Sequence, residues 1–571
     1  MITSLASSRF AGVVAACAAC ALASDGAAAE PRQGEVLPNG IVLPPVWPER
    51  TLDAKSREPM PVPYLVAPPA VIPIDVGRQL FVDDYLIANS TLRRTWHAAE
   101  EVPGNPILAA TTPPELTRTT GIEGAQEAVC YLGSGGVWFD PAAQQFKLWY
   151  TAGWRGGLAL ATSRDAIHWE RPALGRAGDN LVLPEGKGRA GWDNGVWLDL
   201  QAPAAERYKF LTQRSSKDHS LHVSADGLTW SAGVQTGPAA DYCTFFYNPF
   251  RQVWVHSIKR NGPRGRERHY AESRTFMTAG VYRQSVYWTN ADRLDSPDPQ
   301  VGAAPQLYNL QGIAYESLIL GVFSIHLGPT NEVCEAGRFP KITELKLGFS
   351  RDGFHWDRPN REPFLRASRR EGAWNRGYLH CPTGVCVVVG DWLYFPYTGF
   401  SGVAPSGWRG MYTGASIGLA RLRRDGFASM DTGAEGGSLT TRPVRFAGER
   451  LFVNVACPQG ALRVEVLDPE GNVIAPFGAA ECVPVSADTT RREVRWRQAE
   501  TLAALRDRPV RFRFHLTQGR LYAFWVSPDR SGASYGYVAA GGPGFAGATD
   551  REGAAADAAA AAARPPVSLS P

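Results

Sequence analysis

The sequence lacks a strong charge imbalance. Its formal net charge is +4 over 571 residues, and a charge so thinly spread does not indicate binding to nucleic acid or to an anionic membrane surface. Beyond the N-terminal region it also lacks any apolar run of the roughly 18 residues that a membrane-spanning helix needs. Its nine cysteines show no spacing typical of zinc ligands. We therefore expect no nucleic-acid partner, no membrane span, no metal and no redox cofactor.

The first thirty residues have the layout of a secretory signal. They contain one Arg, an apolar run from Ala11 to Ala23 and a small-residue site at Ala27 to Ala29. This predicts a signal peptide over residues 1–29 and an exported protein, periplasmic or extracellular. The letters "VAAC" ending at Cys17 loosely resemble a lipoprotein cleavage box, so a lipid anchor is an alternative. Disulfides can form after export, and Cys457 with Cys482 is the pair that we expect.

Aromatic residues, glycine and proline are abundant. The chain has 17 Trp, 19 Tyr and 24 Phe beside 59 Gly and 43 Pro, a balance that favours short strands joined by turns. Two segments look unlike the rest: residues 30–74 are Pro-rich and residues 547–571 are Ala-rich. We expect both to be mobile rather than folded.

Five copies of one unit follow each other between these segments. Each copy has an apolar strand, a turn, an aromatic-rich strand, a variable loop and a third strand, and most end in a Ser-x-Asp-Gly type of phrase before a fourth strand. The phrase reads "ATSRDAIHWERP" at 161–172, "HVSADGLTWS" at 222–231 and "GFSRDGFHWDRP" at 348–359. Four-stranded units of this length are stable when they pack radially around an axis.

The fold that we predict is all-β: a five-bladed β-propeller over residues 75–430. We expect the segment "GRQLFVDDYLI" at 77–87 to complete the last blade and close the ring. Beyond residue 430 the phrase does not recur, and strict alternation in "ALRVEVLD" and "RPVRFRFHLTQGRLYAFWVSP" predicts a β-sandwich over residues 431–546.

The repeated phrase is interpreted as a turn. Asp352 can accept hydrogen bonds from backbone amides, Gly353 tolerates a positive φ and Trp356 supplies an apolar plug. A group that recurs once per blade cannot serve one site on the axis, so the phrase marks the bottom face. The polar residues near the turn between strands one and two should share that face; they are Asp140, Asp199, Asn248 and Glu316. Asp83 and Asp84 are interpreted as residues at the end of a strand.

Three acids precede the first strand of blades one to three: Glu127, Asp193 and Asp241. They should meet on the top face near the axis. Cleavage of a glycosidic bond needs one carboxyl to protonate the leaving oxygen and one carboxylate to attack or to activate water. We therefore predict that these three residues are catalytic, with solvated loop acids as the alternative interpretation.

Long loops after strand two should gather on the same face. They carry the mixture of aromatic, basic and acidic side chains that sugar sites use. The basic run from Arg260 to Arg268 is either a solvated loop or a receiver for an anionic sugar. The residues predicted to bind substrate are Trp154, Arg155, Arg338, Lys341, Glu344 and His380.

The five "SRDGFHW"-type units, the acids ahead of blades one to three and the C-terminal β-sandwich together resemble the five-bladed propeller glycosidases of glycoside hydrolase families 32, 43 and 68. The resemblance implies a nucleophile or base at Glu127, a stabilising carboxylate at Asp193 and a general acid at Asp241. The Asn-Asp-Pro, Arg-Asp-Pro and Glu-Cys-Pro motifs of family 32 are missing.

The sequence is compatible with two functions. The first is a secreted glycoside hydrolase that acts on an oligosaccharide or polysaccharide in an axial pocket. The second is a propeller that binds carbohydrate without cleaving it, which would need the aromatic and basic loops but not three acids. A sialidase would need six blades and an arginine triad, whereas the sequence shows five units.

Overall fold

The computed structural model describes residues 34–116, 128–154, 156–174, 178–183, 194–215, 218–337, 339–402 and 412–551. Its elements are almost all strands, which confirms the predicted all-β class. In the described part of the chain no helix is long and apolar enough to cross a membrane. The first elements are α1 (Pro63–Val66), β1 (Ile72–Pro73), β2 (Gln79–Leu80), β3 (Ile87–Ser90), β4 (Arg93–Trp96) and β5 (Glu100–Glu101).

Three antiparallel sheets of four strands follow, each formed from consecutive strands. They correspond to the first three units of the repeat. The first sheet consists of β6 (Cys130–Asp140), β7 (Gln145–Ala152), β8 (Gly157–Ser163) and β9 (Leu181–Leu183). The second consists of β10 (Asn194–Leu198), β11 (Tyr208–Ser215), β12 (Asp218–Ser224) and β13 (Val234–Gly237). The third consists of β14 (Thr244–Asn248), β15 (Val253–Gly262), β16 (Gly265–Ser273) and β17 (Val286–Thr289). Short 3₁₀ turns lie at Pro113–Leu116, Ala204–Glu206, Val281–Gln284 and Ala503–Leu505.

The fourth and fifth sheets are less regular. In the fourth, single bridges at Asp357 and Leu365 take the place of the outer strand. In the fifth, the outer strand is β5, which pairs with β24. The elements of the fourth unit are β18 (Gln306–Glu316), β19 (Leu318–Gly328), α2 (Asn331–Gly337) and β20 (Ile342–Ser350). Those of the fifth are β21 (Gly377–His380), β22 (Val387–Val389), β23 (Trp392–Phe400) and β24 (Ala415–Arg423).

The five sheets form a closed ring. β6 packs on β10, β10 on β14 and β14 on β18; β20 then packs on β21, and the fifth sheet returns to β6. One apolar core runs through all five sheets. The chain's N-terminal part does close the ring, but the segment is Glu100–Glu101 together with the bridge from Leu108 to Ile417. The prediction that residues 77–87 complete the last blade is therefore wrong.

The repeated phrase forms the predicted turn on the bottom face. Asp352 Oδ1 accepts hydrogen bonds from the amides of Phe354 and His355, both at 2.8 Å. The amide of Gly353 donates to Ser350 Oγ at 2.8 Å. The same bonds recur at the phrases around Asp165 and Asp226. Each turn is held by its own side chains, so the phrase is structural.

The second part of the fold is made of two antiparallel sheets around their own apolar core and is called the sandwich below. Phe514 in one sheet packs on Phe524 in the other, with ring centroids 5.1 Å apart. Both sheets take a strand from the N-terminal segment: β4 pairs with β25, and β3 with β26. The strands are β25 (Ala428–Thr432), β26 (Gly437–Thr441), β27 (Val444–Arg445), β28 (Arg450–Ala456), β29 (Ala461–Leu467), β30 (Asp488–Glu493), β31 (Arg511–Thr517) and β32 (Gly519–Ser527).

The predicted boundaries need correction at both ends. β2 pairs with β32, so residues from about 79 belong to the sandwich rather than to the propeller. At the other end, β33 (Tyr537–Val538) pairs with β18, so the chain returns to the propeller after the sandwich. Asp550 is fully buried, so residues 547–551 are not part of a mobile tail. Residues 552–571 lie outside the described residues.

Two further expectations are wrong. The Pro-rich segment is folded from residue 34, because Leu37, Ile41 and Leu43 are buried in the core of the sandwich. Cys457 and Cys482 do not form a disulfide. Both thiols are buried, with the Cys457 thiol donating to the carbonyl of Val485.

Candidate functional site

Four tyrosines meet at the top end of the propeller axis. Tyr131, Tyr308 and Tyr378 lie near the start of the innermost strands of sheets one, four and five, and Tyr242 directly precedes that of sheet three. Tyr242 stacks on Tyr308 with ring centroids 5.1 Å apart, and the Tyr378 hydroxyl donates to that of Tyr308 at 2.9 Å. Side chains from four sheets of one ring can meet only near its axis, so these rings mark the axial end.

His380 lies among these tyrosines. Its Nδ1 is 2.6 Å from the Tyr242 hydroxyl, which itself donates to the carbonyl of Gly133 at 2.7 Å. The single hydroxyl proton is used in that bond, so His380 Nδ1 must be the donor to Tyr242. Burial, together with the charge of Lys341, lowers the pKa of His380 to about 3. The ring is neutral and fully enclosed, which suits the positioning of Tyr242 better than direct contact with a substrate.

Trp154, predicted from the sequence to bind substrate, lies at the edge of the aromatic group. Its ring stacks on Tyr412 at 4.3 Å with an interplanar angle of 12°. Tyr412 in turn contacts Tyr378, with centroids 5.8 Å apart. Trp154, Phe400 and the four tyrosines are buried and pack together, and the partly buried Tyr412 lies against them. We call these seven residues the aromatic cluster.

Three cationic side chains lie over rings of this cluster. Lys259 Nζ is 4.7 Å and Arg266 Cζ is 5.6 Å from the centroid of Tyr308. Lys341 Nζ is 5.7 Å from the centroid of Tyr378 and 5.6 Å from that of Tyr412. Contacts of this kind are weakly attractive at the surface and stronger when the cation is desolvated.

Asp241 is the carboxylate of this group. It forms an ion pair with Lys259, which reaches it from β15. Burial alone would raise the pKa of Asp241, but the charge and hydrogen bond of Lys259, with the charges of Arg266 and Arg268, hold it below its ordinary value. Asp241 is therefore ionised at neutral pH. The aromatic cluster, the three cations and Asp241 together are called the axial cluster below.

Lys341 is a buried cation of this group. Its side chain is 5% exposed, and its Nζ donates to the Tyr412 hydroxyl at 3.3 Å. Burial and then the charges of Arg266 and Lys259 lower its pKa to about 8. The neighbouring His326 also has a pKa below its ordinary value because it is buried beside Arg266, Lys341 and Lys259. His326 is therefore neutral and adds no charge to the site.

The other predicted site residues do not join the axial cluster in the described structure. Glu344 pairs with Arg369 at 3.1 Å. Glu127, Asp193, Arg155 and Arg338 lie outside the described residues. The structure thus brings together Trp154, Lys341, His380 and Asp241. Among the described side chains, no three His, Cys, Asp or Glu residues converge as metal ligands.

Glu316, which the sequence assigns to the bottom face, and Asp83, which it interprets as a strand-end residue, are structural. Glu316 is fully buried between Arg78 and Arg424, at 3.5 and 3.3 Å. Asp83 is buried against Arg351 at 2.7 Å. A carboxylate held in this way between guanidinium groups binds parts of the fold together and faces no solvent-exposed cleft.

Sequence reasoning missed most of the axial cluster. Tyr242, Tyr308, Tyr378, Lys259 and His326 were not singled out. A signal for the tyrosines is present, since one lies within three residues of the start of the innermost strand in four of the five sheets. Arg266 and Arg268 lie in the basic run 260–268 that the sequence offers as a receiver for an anionic sugar. Lys259 carries no such signal, because a strand lysine in "VHSIKR" looks the same whether it faces the axis or solvent.

Comparison with known proteins gives only distant likenesses. No family model matches the chain, and no curated protein matches it. An N-acetylgalactosamine deacetylase from F. plautii is 14% identical, covering 57% of this chain and 96% of its own, with a TM-score of 0.41. A thermostable family-43 glycoside hydrolase is 12% identical, covering 54% and 92%, with a TM-score of 0.35.

A β-1,2-mannobiose phosphorylase from Listeria innocua is 11% identical, covering 57% of this chain and 96% of its own, with a TM-score of 0.36. One of these solved structures belongs to family 43, which the resemblance drawn from the sequence also names. At these identities and TM-scores, the likenesses do not establish a family or an activity for this chain.

Proposed function

We propose that this chain is an exported carbohydrate-active enzyme that cleaves a glycosidic bond at the axial cluster. The observation that carries the proposal is the meeting of aromatic rings, cationic side chains and Asp241, from four sheets, at one end of the axis. Aromatic rings pack against the apolar faces of sugar rings, while charged groups bind hydroxyls and acidic substituents.

Glycosidic cleavage needs two carboxyl groups in different protonation states. The ion pair with Lys259 suits Asp241 to the ionised role, as a base or as a group that stabilises positive charge on the sugar. The general acid is then to be sought in Glu127 or Asp193, which directly precede the first and second sheets. This differs from the resemblance, which gives the acid role to Asp241.

One observation favours the alternative, a propeller that binds carbohydrate without cleaving it. Asp241 is already neutralised by Lys259, and a carboxylate so paired contributes as readily to binding as to chemistry. In that case the aromatic cluster and the cations would be the whole functional site.

Turnover and binding measured on the same proteins separate the two functions. Wild-type protein is assayed for released reducing ends on a panel of oligosaccharides and polysaccharides, and for affinity by isothermal titration calorimetry. Asp241→Asn, Asp193→Asn and Glu127→Gln should each lower kcat/KM by at least a hundredfold, since general acid–base steps contribute about 10²–10⁴-fold. Affinity should change far less.

The matched control is Asp199→Asn. Asp199 follows β10 on the bottom face and accepts a hydrogen bond from the amide of Gln201 at 3.1 Å. It should keep wild-type kcat/KM. A wild-type protein that binds saccharides of the panel but releases no product would reject the enzyme and leave the binding function.

A further inference from the structure

Among the described residues, the axial cluster carries an excess of positive charge. Its three cations, Lys259, Arg266 and Lys341, lie over its tyrosine rings, and a fourth cation, Arg268, donates to the carbonyl of Tyr242 at 2.8 Å. Asp241 is the one described carboxylate among them, and it is already paired with Lys259. Gathering like charges in a poorly solvated place is unfavourable unless an anion compensates them.

Buried cations elsewhere in the described structure have such compensation. Arg351 is paired with Asp83 at 2.7 Å, and Arg358 with Asp295 at 2.7 Å. By contrast, neither Arg266 nor Lys341 forms an ion pair with any described carboxylate. Arg266 donates to the amide oxygen of Gln306 at 2.9 Å, and Lys341 to the hydroxyl of Tyr412 at 3.3 Å. Both groups keep donors for a further partner, because an ammonium has three and a guanidinium five.

We infer that the axial cluster binds a saccharide through an acidic substituent, a carboxylate of the uronic acid type, held by Lys341 and Arg266. This rests on the proposed carbohydrate function and names its substrate class. The carboxylate would supply the missing negative charge between two cations, in charge-assisted hydrogen bonds. The sugar ring that carries it would pack on the aromatic cluster.

The aromatic surroundings favour a saccharide over a free inorganic anion. Lys341 lies over the rings of Tyr378 and Tyr412, and Arg266 over Tyr308. Tyr308 and Tyr378 are buried, whereas Tyr412 is only partly buried and offers apolar surface to a ligand beyond the anionic group. A bare phosphate would have no use for that surface. A uronic acid has both an apolar ring face and a carboxylate, so it matches both parts of the cluster.

Paired ligands that differ only in charge test the inference. Affinities of the full-length mature protein are measured for a panel of uronate-containing oligosaccharides, and for the methyl ester of each, which has the same shape without the charge. At least one acid should bind tenfold or more tightly than its ester. Lys341→Met and Arg266→Gln should each weaken binding of the acid at least tenfold and leave binding of the ester within twofold.

Lys147→Met is the matched control. Lys147 also lies over a tyrosine ring, 5.3 Å from the centroid of Tyr208, but on the bottom face and paired with Asp140 at 2.8 Å. The Lys147→Met variant should bind the acid as tightly as wild type does. Thermal unfolding of each variant confirms that the variant is folded under the binding conditions.

Three results would overturn the inference: equal affinity for acids and esters across the panel, loss of acid binding in the Lys147 control as well, or binding of inorganic phosphate alone. Cleavage is not the readout. A protein that binds acids through Lys341 and Arg266 without cleaving them would support this inference and reject the enzyme. A protein that cleaves only neutral saccharides would support the enzyme and reject this inference.

Discussion

Arg424 Nη2 lies 3.0 Å from the carboxylate of Asp550, 126 residues further along the chain. Both side chains are completely buried. Arg424 ends the fifth blade, whereas Asp550 lies beyond the sandwich, where the chain has returned to the propeller. Glu316, Asp425 and Arg78 join the same group of charges. Because Arg78 adjoins strand β2 of the sandwich, its pairs with Glu316 and Asp425 fasten the two parts of the molecule by buried ion pairs as well as by apolar packing.

Removal of one member of this group should be costly. Arg424→Met leaves buried carboxylates without their partner, so we expect the free energy of unfolding to fall by about 3–5 kcal/mol. Denaturant titration followed by tryptophan fluorescence measures the change. Arg366→Met, which breaks an exposed pair with Glu362, should have little effect. Similar losses in the two variants would show that the buried group has no special importance.

The turn phrase should matter for stability and not for chemistry. Gly353 has a φ of +84°, and a Cβ there would clash with the side-chain amide nitrogen Nδ2 of Asn248. Gly372 has a φ of +78° with open space around it. Gly353→Ala should therefore destabilise the fold more than Gly372→Ala, by roughly 1–3 kcal/mol from the added clash.

Thermal unfolding compares the two glycine variants, and activity or binding is measured well below both transitions. Equal melting temperatures would mean that the Asn248 contact relaxes without cost. A folded Gly353→Ala protein with altered function would contradict the structural interpretation of the phrase.

Asp357 should make the fold less stable as pH rises. Burial, and then the charge of Asp83, raises its pKa from 3.8 to about 6. The folded state therefore holds a proton that the unfolded state has lost, so stability falls between about pH 4 and pH 6. Asp357→Asn should gain up to about 3 kcal/mol over wild type at pH 8 and nothing at pH 3.5. A gain that is the same at both pH values would contradict this assignment.

Lys341 should impose an upper pH limit on the binding of an acidic saccharide. Its pKa is about 8, and the groups around it are Arg266, Lys259, Asp241 and Cys334. Below that pH the ammonium is charged and affinity should be constant; above it, affinity should fall by up to about tenfold per pH unit. Lys341→Arg keeps its charge throughout and should not show the fall near pH 8. An unchanged profile in that variant would assign the limit to another group.

The sequence predicted those features that depend on nearby residues. The turn around Asp352 is held by hydrogen bonds within six residues, and the repeat of that turn revealed the five sheets. Pairings between distant segments were beyond reach. "RQLFVDDYLI" is as strand-like as any closing strand of a blade, but Arg78 within it is buried against Asp425 of the fifth sheet and Glu316 of the fourth, while the strand itself pairs with the sandwich.

The same limit applies to the site. Asp241 was found because its position before a first strand repeats in other units. Its partner Lys259 is 18 residues away, and nothing in a strand lysine reveals that its amine turns to the axis. Side chains that gain their role from a neighbour on another strand can be assigned only when the strands are placed.

The early strands β2, β3 and β4 find their partners only in β25, β26 and β32, more than 300 residues later. During synthesis these first strands emerge long before anything they can pair with. The sandwich core cannot form until nearly the whole chain is available, and pairings over such distances form slowly. Folding of this protein should therefore be a late, single event, with the two parts acquiring their structure together rather than one after the other.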